Sequence, residues 1–309
     1  MSLGGSAEVI PPLKDSDGNW ATTASEKANL LADIFEKKSC LDDEIANEFS
    51  AVGTSTEVSQ DGGFIHIRRR YVRRVLSQLD IHSGTGLDGI SARVLHQCRD
   101  ALELPVLLLA RVIFNEGRWP IIWRTHWIHP LFKRKSRADG NNYRGVHLTS
   151  QISKVIERVV GCAFLPSAIR MQLFWKNQYA YTTRRSHRDA LAVNICNWLL
   201  FLDGGCAVGL YCSDVSGAFD RVRCERLTAK LHASGLHPNV VRFLASWLED
   251  RESMVVVGGE KSGITELTNS VFQGTVLGPP LWNMFYADAA LATQLLRFVE
   301  AVFADDYNC

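Results

Sequence analysis

The chain has 309 residues, 46% hydrophobic and 22% charged, with a formal net charge of +1. That length buries a substantial core in one large or two smaller domains of ordinary soluble globular composition. The eight cysteines are scattered with no CxxC, which excludes a zinc knuckle or disulfide framework and reads as reduced and intracellular. No basic-then-apolar signal opens the chain. The most apolar stretches, Leu104–Phe114 and Leu191–Leu202, are too short for a membrane span, so they read as buried helices. The charge is unevenly spread: residues 1–63 carry 4 Lys and no Arg against 12 acidic groups, leaving 30 basic against 21 acidic groups in the remainder. A basic body suits a phosphate-bearing partner, although compositional drift would give the same split.

In chain order, residues 1–63 form an acidic, turn-rich extension around one helix, capped by Ser25, with Ala28, Leu31, Ala32 and Phe35 at helical spacing. Arg68, Arg69, Arg70, Arg73 and Arg74 surround Tyr71 ahead of an amphipathic Val75, Leu76, Leu79 face. They either bind phosphate or form a solvated surface. A glycine turn at 83–89 feeds a helix over 91–99, and a long helix over 102–115 ends near Gly117 and Pro120. Two strands, 127–132 and 143–148, flank a basic turn, and a helix covers 149–163. His126 and His129 form an H-x-x-H with no second ligand pair, a poor zinc site.

Cys206–Ser213 alternates small and apolar residues as a buried strand ending at Asp214, followed by helices over 224–234 and 238–250. Met254–Val257 and Ile264–Val271 read as a hairpin. Phe272 opens a helix running to about Ala292, and an apolar strand, 298–303, delivers Asp305 and Asp306.

Adjacent carboxylates leaving an apolar strand offer the hard oxygen donors that Mg²⁺ takes. An Asp-Asp pair alone also suits a solvated turn, and Asp214 alone suits a helix cap. Adjacent antiparallel strands with acidic tips would bring Asp214 and Asp305 onto one pair of metal ions. Phe219, five residues past Asp214, is placed to exclude a 2′-hydroxyl or to anchor the turn. Gln273-Gly274 offers an amide and an open backbone at a helix start. Lys133, Arg134 and Arg144, on facing strands, suit a triphosphate or plain solvent exposure.

Together these segments resemble the reverse transcriptases of non-LTR (LINE-type) retrotransposons across about residues 64–309. The resemblance rests on Gly86–Leu95, Pro130–Lys133 with Asn142–Ser150, Gln178–Tyr181 with Arg185–Leu191, Ser213–Val222, Gln273–Asn283 and Phe303–Asp306. It implies an α+β right-hand polymerase with fingers at 64–190 and a partial palm with an antiparallel sheet at 191–309. The thumb is expected to lie outside the chain, and 1–63 to be an acidic linker joining an upstream endonuclease.

The resemblance further implies RNA-directed DNA synthesis from dNTPs on an RNA template with a DNA primer, at two Mg²⁺ ions for which Mn²⁺ substitutes. Asp214, Asp305 and Asp306 are the implied catalytic carboxylates and, with Val215, the metal residues. Phe219, Gln273, Gly274, Arg144 and Lys133 are the implied nucleotide contacts. The setting implied is nuclear, at the site of integration, with no membrane.

Two departures shape expectations. Arg144 is followed by Gly145 where the family usually has proline, which predicts a looser backbone. Only Tyr307, Asn308 and Cys309 follow the Asp pair, so the return strand is expected to be missing, the catalytic strand incompletely held, and activity weak or absent. A catalytically dead RNA-binding remnant and an RNA-dependent RNA polymerase are the competing readings.

Overall fold

The structure, a computed structural model, describes residues 9–40, 65–289 and 298–308. It is a mixed α+β molecule, the class the resemblance implies, and its strands form two main sheets. Part of the acidic 1–63 extension and residues 290–297, to which the last predicted helix was to extend, lie outside the described residues.

The larger sheet is built on β3 (Thr125–Phe132), β4 (Tyr143–Leu148) and β6 (Arg251–Val257), after a short β1 (Leu13–Lys14) and β2 (Trp20–Ala21) pair. β3 and β4 are antiparallel, in register from Trp127 opposite Leu148 to Phe132 opposite Tyr143, while β6 joins β3 in parallel. β7 (Glu260–Lys261) and β8 (Thr265–Leu267) both return antiparallel onto β6, but β7 pairs with Val256–Val257 and β8 with Arg251–Ser253, so the predicted single hairpin of 254–257 with 264–271 is split in two.

Helix α1 (Ala24–Ser39) packs on this sheet. Thr23, rather than Ser25, caps it in a reciprocal box with Glu26. Its stripe of Ala28, Leu31, Ala32 and Phe35 is buried with Ile128, Tyr143, Val255 and Val257. Gly145 fits here. A Cβ on it would meet Ile128 Cγ2 at 2.8 Å and the Phe35 ring at 3.5 Å, so glycine gives Phe35 room to close on β4. The backbone is not loosened: Gly145 pairs with Pro130 in an unbroken ladder.

The second core is helical. α2 (Arg69–Ser77), α4 (Arg99–Glu116) and α5 (Gln151–Arg170) pack together, with α3 (Ala92–Gln97) beside α4. α7 (Cys224–Ala233) and α8 (Pro238–Leu248) complete the layer, joined by α9 (Gly278–Tyr286). Where the layer meets β3, β4 and β6, Arg251 is fully enclosed. It donates to Trp247 O (2.6 Å), Trp123 O (2.9 Å) and His126 Nε2 (2.7 Å), and its guanidinium lies 5.0 Å from the Trp247 and Phe272 rings. His126 Nδ1 lies 3.0 Å from His147 Nδ1. Burial pulls Arg251 down to about 9 and His147 to about 3, and drives His126 well below its ordinary value. His126 therefore belongs to this enclosed cluster, and His129 is exposed, so the H-x-x-H holds no common ligand.

Expectations of burial fail in part for α4, where Leu104, Leu108, Leu109 and Val112 are exposed beside a buried face, and more fully in two later segments. α6 (His187–Asp203) forms, but Ala190 is its only buried residue, and Leu191, Leu199, Leu200 and Leu202 are more than half exposed. The predicted strand over 206–213 shrinks to β5 (Cys212–Asp214), with Leu210 and Tyr211 exposed. The physical reason is shared: α6 packs mainly on the small sheet described below, and β5 is that sheet's edge. Among the described residues, no helix is long and apolar enough to cross a membrane, and the seven described cysteines are free.

Both enclosed histidines are neutral in the fold, so the unfolded chain binds more protons once pH drops below about 6.5. Their depressed values mean that stability is fully present above that pH and declines as pH falls toward 3. Urea titrations between pH 7.5 and 5 are expected to show a loss approaching about 1.4 kcal/mol per pH unit for each histidine at the acid end. A flat profile would show that the pair is protonated in the native state.

Candidate active site

The site sits on a three-stranded antiparallel sheet: β5, β9 (Ala301–Phe303) and β10 (Asp306–Asn308). β10 is the middle strand. Its Asp306 pairs with Asp214 of β5 and with Phe303 of β9. The strands leading to Asp214 and Asp305 are therefore parallel and separated by β10, not adjacent and antiparallel as predicted. Asp305 stands in the two-residue turn between β9 and β10. Three carboxylates thus share one end of the sheet, two of them as a direct cross-strand pair.

The missing return strand is likewise corrected. Residues 306–308 suffice to pair on both sides. β9 is not an open edge either, because Tyr179 N donates to Val302 O (2.8 Å) and Val302 N to Asn177 O (3.0 Å). Behind the strands, Tyr307 Oη donates to Glu300 Oε2 at 2.5 Å, and Asn177 Nδ2 reaches Glu300 Oε1 at 3.2 Å.

The turn is held from below. Ala304 adopts a left-handed conformation (φ 59°), which a non-glycine residue keeps only when its surroundings fix it. Gln178, 2% exposed, does this with one amide: Oε1 accepts from Ala304 N (2.9 Å), and Nε2 donates to Ala304 O (3.1 Å). Trp282 Nε1 donates to the same carbonyl at 3.1 Å. Gln178 and Trp282 lie in segments the sequence singles out, but nothing in their spacing marks them as the clamp.

Like charge is concentrated here. Burial, then the neighbouring Asp214 and Asp306, push the Asp305 carboxyl above its ordinary range, against a backbone hydrogen bond and Lys133, which draw it down. Lys133 is exposed at the end of β3, and Arg144, also exposed, lies on β4 opposite Leu131. Tyr181 joins the two groups. Burial and the Asp305 charge raise its phenol, and Arg144 lowers it.

Phe219 is half-buried, stacked on Trp282 (5.7 Å between centroids, 20°) and edge-on to Tyr181 (6.1 Å). Tyr286 stacks on the other indole contact (5.1 Å, 18°), so the rings form a row beside the acidic turn. Phe219 O accepts from Val271 N at 3.0 Å, tying this turn to the segment before Gln273. The next residue, Asp220, is raised by burial and drawn down by Lys38 of α1, whose Nζ donates to Tyr143 O at 3.2 Å. The extension helix therefore reaches both β4 and the Phe219 turn.

Gln273-Gly274 stands differently from expectation. The helix starts at Gly278, and Gly274 is pressed on β4 rather than open. Gln273 O accepts from His147 N (2.7 Å), and a Cβ on Gly274 (φ 102°) would lie 2.8 Å from His147 O. The amides of Val276 and Leu277 donate to one oxygen of Glu157 (2.8 and 3.1 Å). This buried carboxyl, raised by its burial, thus takes the amides that would otherwise be open to an anion.

Among the described residues, no three His, Cys, Asp or Glu side chains converge as a ready metal cage. The donor chemistry at Asp214, Asp305 and Asp306 still fits a hard divalent cation. All are oxygen ligands, and a cation among them would offset the burial and, secondarily, the like charges that raise Asp305. Val215 follows Asp214 at the strand exit.

Residues 133–309 match the family described as reverse transcriptase (RNA-dependent DNA polymerase). The RNA-directed DNA polymerase from mobile element jockey of Drosophila melanogaster is 25% identical over 307 residues, covering 95% of this chain and 33% of that protein. The jockey polymerase of Drosophila funebris gives 25% over 303 residues, with 95% and 33% covered. The Pol polyprotein of retrotransposable element R1 of Bradysia coprophila gives 23% over 300 residues, with 94% and 28% covered. The chain spans about a third of the length of the curated relatives it matches first.

Gly274→Ala is expected to lower unfolding free energy by about 1–3 kcal/mol through backbone strain alone, before its clash with β4. Gly84→Ala, with open space around it, is the control. Equal urea midpoints for the two variants would show that β4 and the 273–274 turn are not in contact.

Proposed function

The chain belongs to the reverse transcriptase family, among the polymerases of non-LTR retrotransposons, and on that premise we propose that it copies RNA into DNA at the β5–β10–β9 carboxylates. The observation that carries the reading is the Asp306–Asp214 cross-strand pair with Asp305 in the adjoining turn. In this reading residues 64–190 act as fingers and 191–309 as palm, and residues 1–63 precede them as an extension whose α1 braces the fingers sheet. RNA template, DNA primer and dNTPs are the partners.

Asp214, Asp305 and Asp306, with Val215 beside them, would hold two Mg²⁺ ions. When bound, such ions lower the pKa of the primer 3′-hydroxyl and neutralise the departing pyrophosphate. The chain's own residues position the rest. Arg144 and Lys133 face the triphosphate from β4 and β3, with arginine supplying the forked hydrogen bonds. The 3′-hydroxyl gives up its proton to water, its oxygen bonds to the α-phosphorus of the dNTP, the bond from that phosphorus to the bridging α–β oxygen breaks, and pyrophosphate leaves. Phe219, wedged between Tyr181 and Trp282, has little freedom to yield to a 2′-hydroxyl. Gln273 and Gly274 fix the floor on which the base pair would rest.

Primer extension on poly(rA)–oligo(dT) with Mg²⁺ and dTTP tests the reading. The wild-type chain is expected to extend the primer only weakly, and Asp305→Ala to abolish that extension while keeping its fold by circular dichroism. Extension by Asp305→Ala, or none by the wild type, would sink it; RNA binding without extension would indicate a dead remnant. Phe219→Ala is expected to raise rUTP use relative to dTTP by on the order of 10–100-fold. Efficient rUTP use by the wild-type chain would instead favour an RNA polymerase.

A further inference from the structure

Helix α2 breaks the electrostatic rules of a helix in isolation. Its first turn has no acidic residue, and its positive N-terminal end carries Arg68, Arg69 and Arg70, where carboxylates are the stabilising groups. Arg69 with Arg73, and Arg70 with Arg74, are like-charge neighbours four residues apart, which destabilise a helix. Val72, Val75 and Leu76 bury the opposite face, so the register leaves the arginines no alternative position.

The fold neutralises one of these pairs. Glu103 of α4, its side chain 5% exposed, accepts from Arg69 Nε at 2.5 Å and from Arg73 Nε at 3.1 Å. Arg70 and Arg74 have no carboxylate partner among the described residues. Their guanidinium groups lie instead 5.3 and 5.9 Å from the centre of the Tyr71 ring. Arg74 Nη2 is also fixed by Cys162 Sγ at 3.1 Å. Arg70, Tyr71 and Arg74 line a surface groove of about 270 Å³. A helix that keeps an unneutralised cation pair around an aromatic ring violates local consistency where a binding function explains it.

We propose that this groove binds a single-stranded segment of RNA, a contact separate from the carboxylate site. Two guanidinium groups spaced one helical turn apart suit consecutive phosphates, while the ring and the planar guanidinium faces give a base a stacking surface. An acidic peptide would be met by the charges alone and has no use for that surface. The choice of RNA over DNA rests on the polymerase reading; the groove itself does not.

Fluorescence anisotropy with a labelled 12-nucleotide oligo(rU), and with oligo(dT) of the same length, tests the assignment on the full chain. Arg70→Gln/Arg74→Gln is expected to bind oligo(rU) about tenfold more weakly and to flatten the salt dependence by about 1.4 log units per log unit, the loss of two phosphate contacts. Tyr71→Leu is expected to weaken binding about tenfold with the salt slope unchanged. Thermal melts confirm that both variants fold. Wild-type affinity for oligo(rU) in either variant, or a loss seen on oligo(dT) alone, overturns the proposal. Primer extension run in parallel keeps the two proposals apart. Wild-type binding that these variants weaken, without any extension, removes the polymerase and leaves the groove. Extension with unaltered oligonucleotide binding removes the groove and leaves the polymerase.

Discussion

The structure around the site depends on holding three carboxylates together against their own repulsion. Cross-strand like charges are destabilising where they face each other directly, and Asp306 faces Asp214 in the ladder. The opposing forces come from neutral donors beneath the turn, with Lys133 at the end of β3 drawing Asp305 down from outside it. The Gln178 amide and the Trp282 indole converge on Ala304 from two separate segments, and the Glu300–Tyr307 bond closes the far end of the same strands. A neutral cradle fixes the backbone while leaving the carboxylate oxygens to bind something else. Basic side chains paired with these carboxylates would have offset the repulsion more fully, at the cost of occupying their oxygens.

A second constraint acts where the large sheet meets the helices. Arg251 is a buried charge whose hydrogen bonds go to two carbonyls and a neutral histidine, with aromatic faces around it. The arrangement joins β6, β3 and β4 through His126 and His147, and His147 in turn donates its backbone amide to Gln273. A chain of enclosed polar contacts therefore runs from α8 to the 273–274 turn beside the site. Glu157 adds a further enclosed carboxyl behind the start of α9. Buried charges of this kind contribute little net stability, yet removing one partner strands the other, so they specify a single arrangement.

Much of this was legible in the residues. The amphipathic stripe of α1, the long helix α4 and the β3–β4 pair follow from periodicity and turn chemistry, and the acidic segments stand in a distinctive order. What escaped the sequence is set by tertiary placement. Leu191–Leu202 is apolar enough for a core helix, but hydrophobicity does not say whether neighbours arrive to cover it. Residues 306–308 are too few to announce a strand, and their role as the middle one depends on partners nearly a hundred residues earlier at Cys212–Asp214. Gln178 and Glu157 carry no signal of their own, because a buried amide or carboxyl is recognisable only from what it touches. Gly274 looked like room for a ligand, whereas the room is taken by β4.

The middle position of β10 has a consequence for how the protein is made. Synthesis runs from the N-terminus, and β10 is the last described strand to leave the ribosome, yet it joins β5 to β9. A nascent chain that has emerged only through β8 can build the large sheet and most of the helical layer. The three carboxylates cannot meet until β10 arrives and pairs with β5 across a long sequence separation, the kind of contact that forms slowly and late. Assembly of the acidic cluster therefore waits on β10, and a nascent chain that has emerged only as far as β9 does not yet carry it.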